Sequence, residues 1–249
     1  MDLKTQAGRV YWAYLRQRWR RQPYATMRLA GTEVRFQGLA QRPFDWFGFE
    51  MHRGRWERVP LAFFAEAIRP GDTILDLGAF IGAYALLGAK LVGETGRVVA
   101  FEPDPVARDH LERNVAVNGL SNVQVIAAAV SDRTGTLTLD ASRLGSSQTR
   151  IGAAEGAITV PTVALDDFCR DHGIHPSVIK IDVEGAEEMI VGDAAAETFT
   201  GARAIVLEVH EGAGANSERI CRQFEQWGKR LVQLEERWPG QYNVAFVEH

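Results

Sequence analysis

Residues 73–92 read TILDLGAFIGAYALLGAKLV, and the fold is decided here. Ile74, Leu75 and Leu77 make a short apolar strand that carries the acid Asp76. A turn with Gly78 and Gly82 follows, and then an apolar helix. A strand, a glycine turn and a helix in this order is how an open α/β sheet presents a small molecule at the carboxyl ends of its strands. Glycine lets the backbone come close to a ligand, because no Cβ intervenes. The helix start offers unpaired N–H groups to anything negative.

Two nucleoside ligands compete for such a turn. The dinucleotide fingerprint asks for G-x-G-x-x-G, whereas Ala79, Phe80 and Ile81 here separate only two glycines. Asp76 would repel a pyrophosphate, and it suits the ammonium and sulfonium of S-adenosylmethionine. The turn therefore predicts the methyl donor.

Outward from this stretch, strands and helices alternate, the pattern of a parallel sheet with crossovers. Strands are expected at 96–101, 123–128, 178–183 and 204–209, with helices at about 105–118, 165–172 and 216–227. Residues 136–139 and 158–163 read as an inserted hairpin around a Ser/Gly-rich loop at 142–156. Residues 231–234 and 243–247 read as a closing antiparallel pair. Before the alternation begins, 3–21 reads as a helix, 24–38 as a hairpin, 44–49 as an aromatic loop and 61–68 as a helix. Arg69-Pro70-Gly71 punctuates the chain. The expected division is an extension at 1–69 and a ligand-binding domain at 70–249.

Charge follows that division. Twelve lysines and arginines face five acids in the first 60 residues, an excess of seven positive charges. The rest of the chain holds an excess of eleven negative ones. The overall net charge of −4 gives no general case for nucleic acid. Cys169 and Cys221 are too few for a disulfide framework or a metal knuckle, which suits a reducing cytoplasm. No apolar run is long enough for a transmembrane segment, and no secretory signal pattern opens the sequence.

Several polar residues fall where chemistry is expected. Glu102 ends the second strand, beside the turn, where an acid accepts hydrogen bonds from ribose hydroxyls; Pro103 follows it. Ala128 and Ala129 leave room for a ring. In Val178–Glu187, alternation puts Lys180 and Asp182 on one side of the strand. A lysine inside a central strand needs an acid for partner. Glu187 and Glu188 fall in a first helical turn, where acids suit the helix dipole. Glu208 and His210 share a side of the fifth strand, so Asp76, Asp182, Glu184, Glu208 and His210 form a rim. A histidine there can accept a proton near neutral pH.

The runs DLGAFIGAYALL, VVAFEPDPVARDHLERNVAVNG, TVALDDF, VIKIDVEGAEEMIVGDA and IVLEVHE together resemble the FkbM family of S-adenosylmethionine-dependent methyltransferases. The resemblance covers about residues 70–211, and KIDVEGAE is its specific part. It implies a class I methyltransferase fold: a Rossmann-like, mostly parallel seven-stranded sheet with an antiparallel last strand. It also implies O-methylation of a hydroxyl on a sugar, glycan or natural-product small molecule. Asp76, Gly78, Ala79, Phe80 and Gly82 would form the donor turn. Glu102 and Pro103 would lie at the ribose, Ala129 near the base, and Asp182 and Glu184 between donor and acceptor. Phe80 stands where the family usually has asparagine, and Ala83 where it usually has an aromatic.

The catalytic candidates are therefore Lys180, Asp182, Glu184 and His210, with His210 as the expected base. S-adenosylhomocysteine would be the product. Asp182 and Glu184 could hold a divalent metal, but the spacing does not demand one. A nicotinamide-dependent oxidoreductase is disfavoured by Asp76 and by the lack of a Tyr-x-x-x-Lys pair; a non-catalytic binding module is disfavoured by the acidic rim. The extension is expected to cap the acceptor side through Phe44–Phe49 or to form a homodimer contact. Its first helix is expected to pack on its own domain or to meet a membrane surface or a partner.

Overall fold

The computed structural model describes residues 6–40, 44–140, 142, 144–145, 157–192 and 195–248. Its centre is a seven-stranded sheet built from β3 (Thr73–Leu77), β4 (Arg97–Phe101), β5 (Val123–Ile126), β9 (Val178–Ile181), β10 (Ala204–His210), β11 (Lys229–Trp238) and β12 (Gln241–Glu248), in the order β11-β12-β10-β9-β3-β4-β5. β3, β4, β9 and β10 are apolar on both faces and buried almost throughout, as expected for parallel strands covered from both sides. β12 runs antiparallel to both β10 and β11 and separates them.

Alternation along the strands divides the core into two layers. Ile74, Val98, Val178 and Val206 face one layer; Leu75, Val99, Ile179 and Leu207 face the other. The second layer is closed by α6 (Leu165–Asp171), α8 (Ala196–Gly201) and α9 (Ser217–Gln226), through Cys169, Phe199 and Phe224. The first is closed by α4 (Ala83–Val92) and by the N-terminal segment. That segment comprises α1 (Gln6–Arg20), β1 (Ala25–Leu29), β2 (Thr32–Phe36), α2 (Asp45–His52) and α3 (Arg58–Ala67). Phe36, Phe49 and Phe64 are fully buried in the core it shares with the sheet.

The aromatic stretch 44–49 is not a loop: from Asp45 onward it is helix α2, and Phe44, Phe47 and Phe49 are buried. Gly48 disguises the helix in the sequence. A Cβ there would lie 2.9 Å from the Leu39 Cβ and 3.2 Å from the Trp19 ring, so a close approach overrides helix propensity.

After β4, Asp104 caps α5 (Pro105–Val117) by accepting from the Val106 and Ala107 N–H groups. β7 (Gly135–Leu139) and β8 (Ile158–Ala164) pair antiparallel as the inserted hairpin, and β6 (Ala129–Ser131) joins β8 in parallel. Most of the Ser/Gly-rich stretch between them lies outside the described residues. A short helix, α7 (Glu187–Ile190), follows β9. Among the described residues, no helix is long and apolar enough to cross a membrane.

Candidate active site

One cavity of about 320 Å³ opens at the carboxyl ends of β3, β4, β9 and β10. Asp76, Gly78, Ala79, Phe80, Glu102, Pro103, Ala129, Lys180, Asp182, Glu184 and His210 all line it. Gly82 is not among its lining residues. It precedes α4 with φ +94°, and a Cβ there would lie 2.5 Å from Leu111, so its role is to let the turn pack on α5.

The half around β3 and β4 is shaped by backbone. Gly78 has φ +80°, and a Cβ would fall 1.8 Å from the Asp182 carbonyl oxygen. The turn after β3 is thereby pressed against the loop after β9. Phe80 also holds a left-handed backbone, φ 51°, which is strained for a ring-bearing residue. Two restraints keep it there. Its N–H donates to Glu102 Oε2 at 2.6 Å, and its ring packs against Phe44 and Phe47 of the N-terminal segment. Asparagine tolerates this conformation more readily. Here the neighbouring aromatics offset the cost of a phenylalanine.

Glu102 also accepts from the Asp104 N–H at 2.8 Å. Burial pushes its carboxyl up to about 8, against these two donors. Ribose hydroxyls would add donors that favour the ionised form. Glu102→Gln is expected to weaken binding of S-adenosylhomocysteine about tenfold or more, since a hydrogen bond to a charged acceptor is worth about 1.5–3 kcal/mol. Calorimetric titration checks this; a loss below about threefold would remove Glu102 from the ribose.

Asp76 is buried, and among the described residues its carboxylate oxygens make no close hydrogen bond, with only the Ala85 N–H aimed toward them. Burial raises its pKa to about 6, against the pull of Lys180, its register partner on β9. An unpaired buried anion beside a glycine cradle fits a ligand that brings its own cation, as the methionine end of S-adenosylmethionine does. The residues present therefore fit that donor.

The half around β9 and β10 is a charge network. Lys180 is buried, lies 3.2 Å from Asp182 Oδ2, and sits over the Tyr84 ring at 4.8 Å. Burial would lower its pKa, but Asp182, Glu57, Asp76 and Glu208 outweigh that and raise it. Burial would likewise raise Asp182, yet Lys180 and His210 hold it below its ordinary value. Tyr84 donates to Glu57 Oε2 at 2.6 Å, and Arg237 pairs with Glu57 Oε1 at 3.0 Å. Gln241 donates to Glu208 Oε1.

His210 differs from expectation. Its Nδ1 lies 2.8 Å from Glu187 Oε1, and its Nε2 is 3.6 Å from Glu184 and 3.9 Å from Asp182. Burial opposes protonation, but the Glu187 hydrogen bond and the charges of Asp182 and Glu184 raise its pKa to about 9. This shift favours the imidazolium, which has no free pair to accept a proton. Glu187 also departs from its expected role as a helix-dipole acid: it is fully buried and holds His210 and the Gly185 N–H.

Sequence reasoning also missed Glu57, Tyr84 and Arg237, for which no local motif exists. Asp182, Glu208 and His210 could hold a metal, each offering an atom within 4.8 Å of the others. The ammonium of Lys180 already serves one of these carboxylates as its cation.

A parallel sheet with its last strand inserted antiparallel, a glycine turn after the first central strand and an acid ending the second define a class I methyltransferase. The chain belongs to the methyltransferase FkbM domain family, whose profile matches residues 76–231. It is an S-adenosylmethionine-dependent methyltransferase. It is 28% identical over 206 residues to methyltransferase sdnD of Sordaria araneosa, covering 69% of this chain and 79% of that one. It is 28% identical over 187 residues to the 31-O-demethyl-FK506 methyltransferase FkbM of Streptomyces tacrolimicus, covering 62% and 71%. A solved structure from Streptococcus mutans, assigned as a SAM-dependent methyltransferase, shares the fold with a TM-score of 0.51 and 10% identity, covering 91% of this chain and 56% of that one.

Proposed function

We propose that this protein methylates a hydroxyl oxygen of a small organic acceptor, a sugar or a natural product, and that Asp182 receives the hydroxyl proton. The observation that carries this reading is Asp182 Oδ1, buried at the cavity with no direct hydrogen bond and with His210 Nε2 3.9 Å away, while Oδ2 is held by Lys180. Buried acceptors are normally satisfied, and a hydroxyl donor would satisfy this one. S-adenosylmethionine supplies an electrophilic methyl group on a sulfonium. Asp182 orients the attacking oxygen for in-line displacement, which needs the reacting atoms about 3 Å apart. As the new O–C bond forms and the C–S bond breaks, the hydroxyl proton becomes strongly acidic. A carboxylate of low pKa is then an adequate acceptor. His210, tied to Glu187 and favoured in its charged form, keeps the surrounding acids in place.

The same reading gives residues 1–69 the role of a cap on the acceptor side of residues 70–249. Trp56 and Glu57 come from that cap, and Arg237 and the exposed Trp238 from the β11–β12 hairpin; all four line the cavity. Arginine among aromatic rings suits sugar rings or anionic groups. The curated relative named for a 31-O-demethyl substrate supports oxygen as the nucleophile.

The test is methyl transfer from S-adenosylmethionine to a panel of polyols and polyketide alcohols, read by mass spectrometry. Methylation at nitrogen or carbon, or tight binding of NAD with none of the methyl donor, would overturn the reading. Asp182→Asn is expected to cut turnover at least a hundredfold while donor affinity stays within a few-fold, since proton acceptance contributes roughly 10²–10⁴. Wild-type turnover in this variant would remove Asp182 from the reaction.

A further inference from the structure

Helix α1 reads QAGRVYWAYLRQRWR and contains no acid. Its inner side is settled: Gly8, Leu15 and Trp19 are buried, and Trp12 meets Trp19 and Phe49 edge to face. Its outer side is unusual, because Val10 is 65% and Tyr14 57% exposed. At about 100° per residue, Val10 and Gln17 fall nearest the centre of the outward face, with Gln6, Ala13, Tyr14 and Ala7 to either side, so that strip carries no charge. Arg9 and Arg20 border this strip on one edge and Arg18 on the other; all three are exposed, and Arg21 follows.

A helix that only packs on its own domain puts charge at the centre of its solvent face. Here uncharged groups hold the centre, Val10 and Tyr14 among Gln6, Gln17 and two alanines, and guanidinium groups hold the edges. An interfacial helix has this arrangement: the apolar strip enters the headgroup layer and the basic stems reach the phosphates.

We propose that α1 docks this protein on an anionic lipid surface, with Val10 and Tyr14 inserted and Arg9, Arg18 and Arg20 at the lipid phosphates. Charge complementarity selects this occupant. The positive excess is confined to the first 60 residues, while the remainder of the chain is acidic, so attraction to an anionic surface is local to this end. A single-stranded nucleic acid would be met by stacked aromatic faces. The most exposed apolar residue of the strip is instead a valine, and Tyr11 is engaged by His52 at 3.0 Å. Docking places the lipid close to the cavity. α1 rests on Phe49 of α2, and Phe47 of the same helix lines the cavity wall.

The test is co-sedimentation of the full chain with vesicles of phosphatidylcholine, with and without phosphatidylglycerol. Retention is expected only with phosphatidylglycerol and declines as salt screens the charges. Val10→Asp combined with Tyr14→Asp should weaken retention roughly tenfold or more, and so should Arg9→Glu combined with Arg20→Glu. In both variants the melting temperature and the affinity for S-adenosylhomocysteine should be unchanged, showing that the fold is intact. The proposal is overturned by equal retention on both vesicle types, by no retention on either, or by retention that survives both variants. It is also overturned if single-stranded RNA, and not vesicles, loses its binding in these variants.

Discussion

Replacing Asp76 by asparagine is expected to stabilise the ligand-free protein while weakening donor binding at least tenfold. The carboxyl is raised from 3.8 to about 6 by burial. Below the lower value Asp76 is protonated in both the folded and unfolded states and costs nothing. Between the two values the folded state holds a proton that the unfolded state lacks, so stability falls as pH rises. Above the upper value the full penalty applies, about 3 kcal/mol. An asparagine amide is also costly to bury unpaired, which limits the gain to about 1–2 kcal/mol, or a few degrees in a chain of this size. Thermal melts at pH 5 and 7.5 should show the gain mainly at the higher pH. Calorimetry with S-adenosylhomocysteine, which keeps the ammonium, should show the loss. A lower melting temperature together with unchanged affinity would refute the idea that Asp76 waits unpaired for a ligand cation.

The largest loss of stability is expected from Lys180→Met. The ammonium is 2% exposed, and Asp182, Glu57, Asp76 and Glu208 all act on it. Methionine fills similar space but leaves these acids facing one another without the cation. Removing one partner of a buried charge network costs about 3–5 kcal/mol, on the order of 10 °C here. The sign of the pH dependence identifies the cause. Without Lys180 the carboxyl groups rise in pKa, so protonation relieves the strain and the deficit shrinks as pH falls. A deficit equal at pH 5 and pH 8 would point instead to lost packing over the Tyr84 ring.

The donor half of the site was legible because its physics is local. Asp76, Gly78 and Glu102 lie at strand ends within one βαβ unit, and period-two alternation fixes which side chains share a face. The pairing of Lys180 with Asp182 followed from the same alternation and the cost of an unpaired buried lysine. The part of the site built by residues distant in sequence was not legible. Glu57 and Arg237 lie 180 positions apart and meet only through tertiary structure. Glu187 was hidden by a good local explanation, since an acid in a first helical turn needs no further cause. His210 was found as a residue but not in its surroundings: Glu187, Asp182 and Glu184 converge on it from the β9–α7 region and favour its charged form. The helix at 45–52 was masked by Gly48, whose reason is Leu39, again outside the local window.

The ion pair between Glu57 and Arg237 joins two segments that both lie outside the family-matched residues 76–231, as do Phe47, Trp56 and Trp238. The family profile spans the turn, the central strands and Lys180, Asp182, Glu208 and His210, while Glu57, Arg237 and these parts of the cavity wall lie outside it. Trp56 meets the Tyr84 ring edge to face and Phe47 the Phe80 ring, so these walls rest on residues inside the matched span. Resemblance to a relative across 76–231 then predicts a common reaction and a common donor. A common acceptor is to be sought in whether that relative also keeps the tryptophans and the Glu57–Arg237 pair.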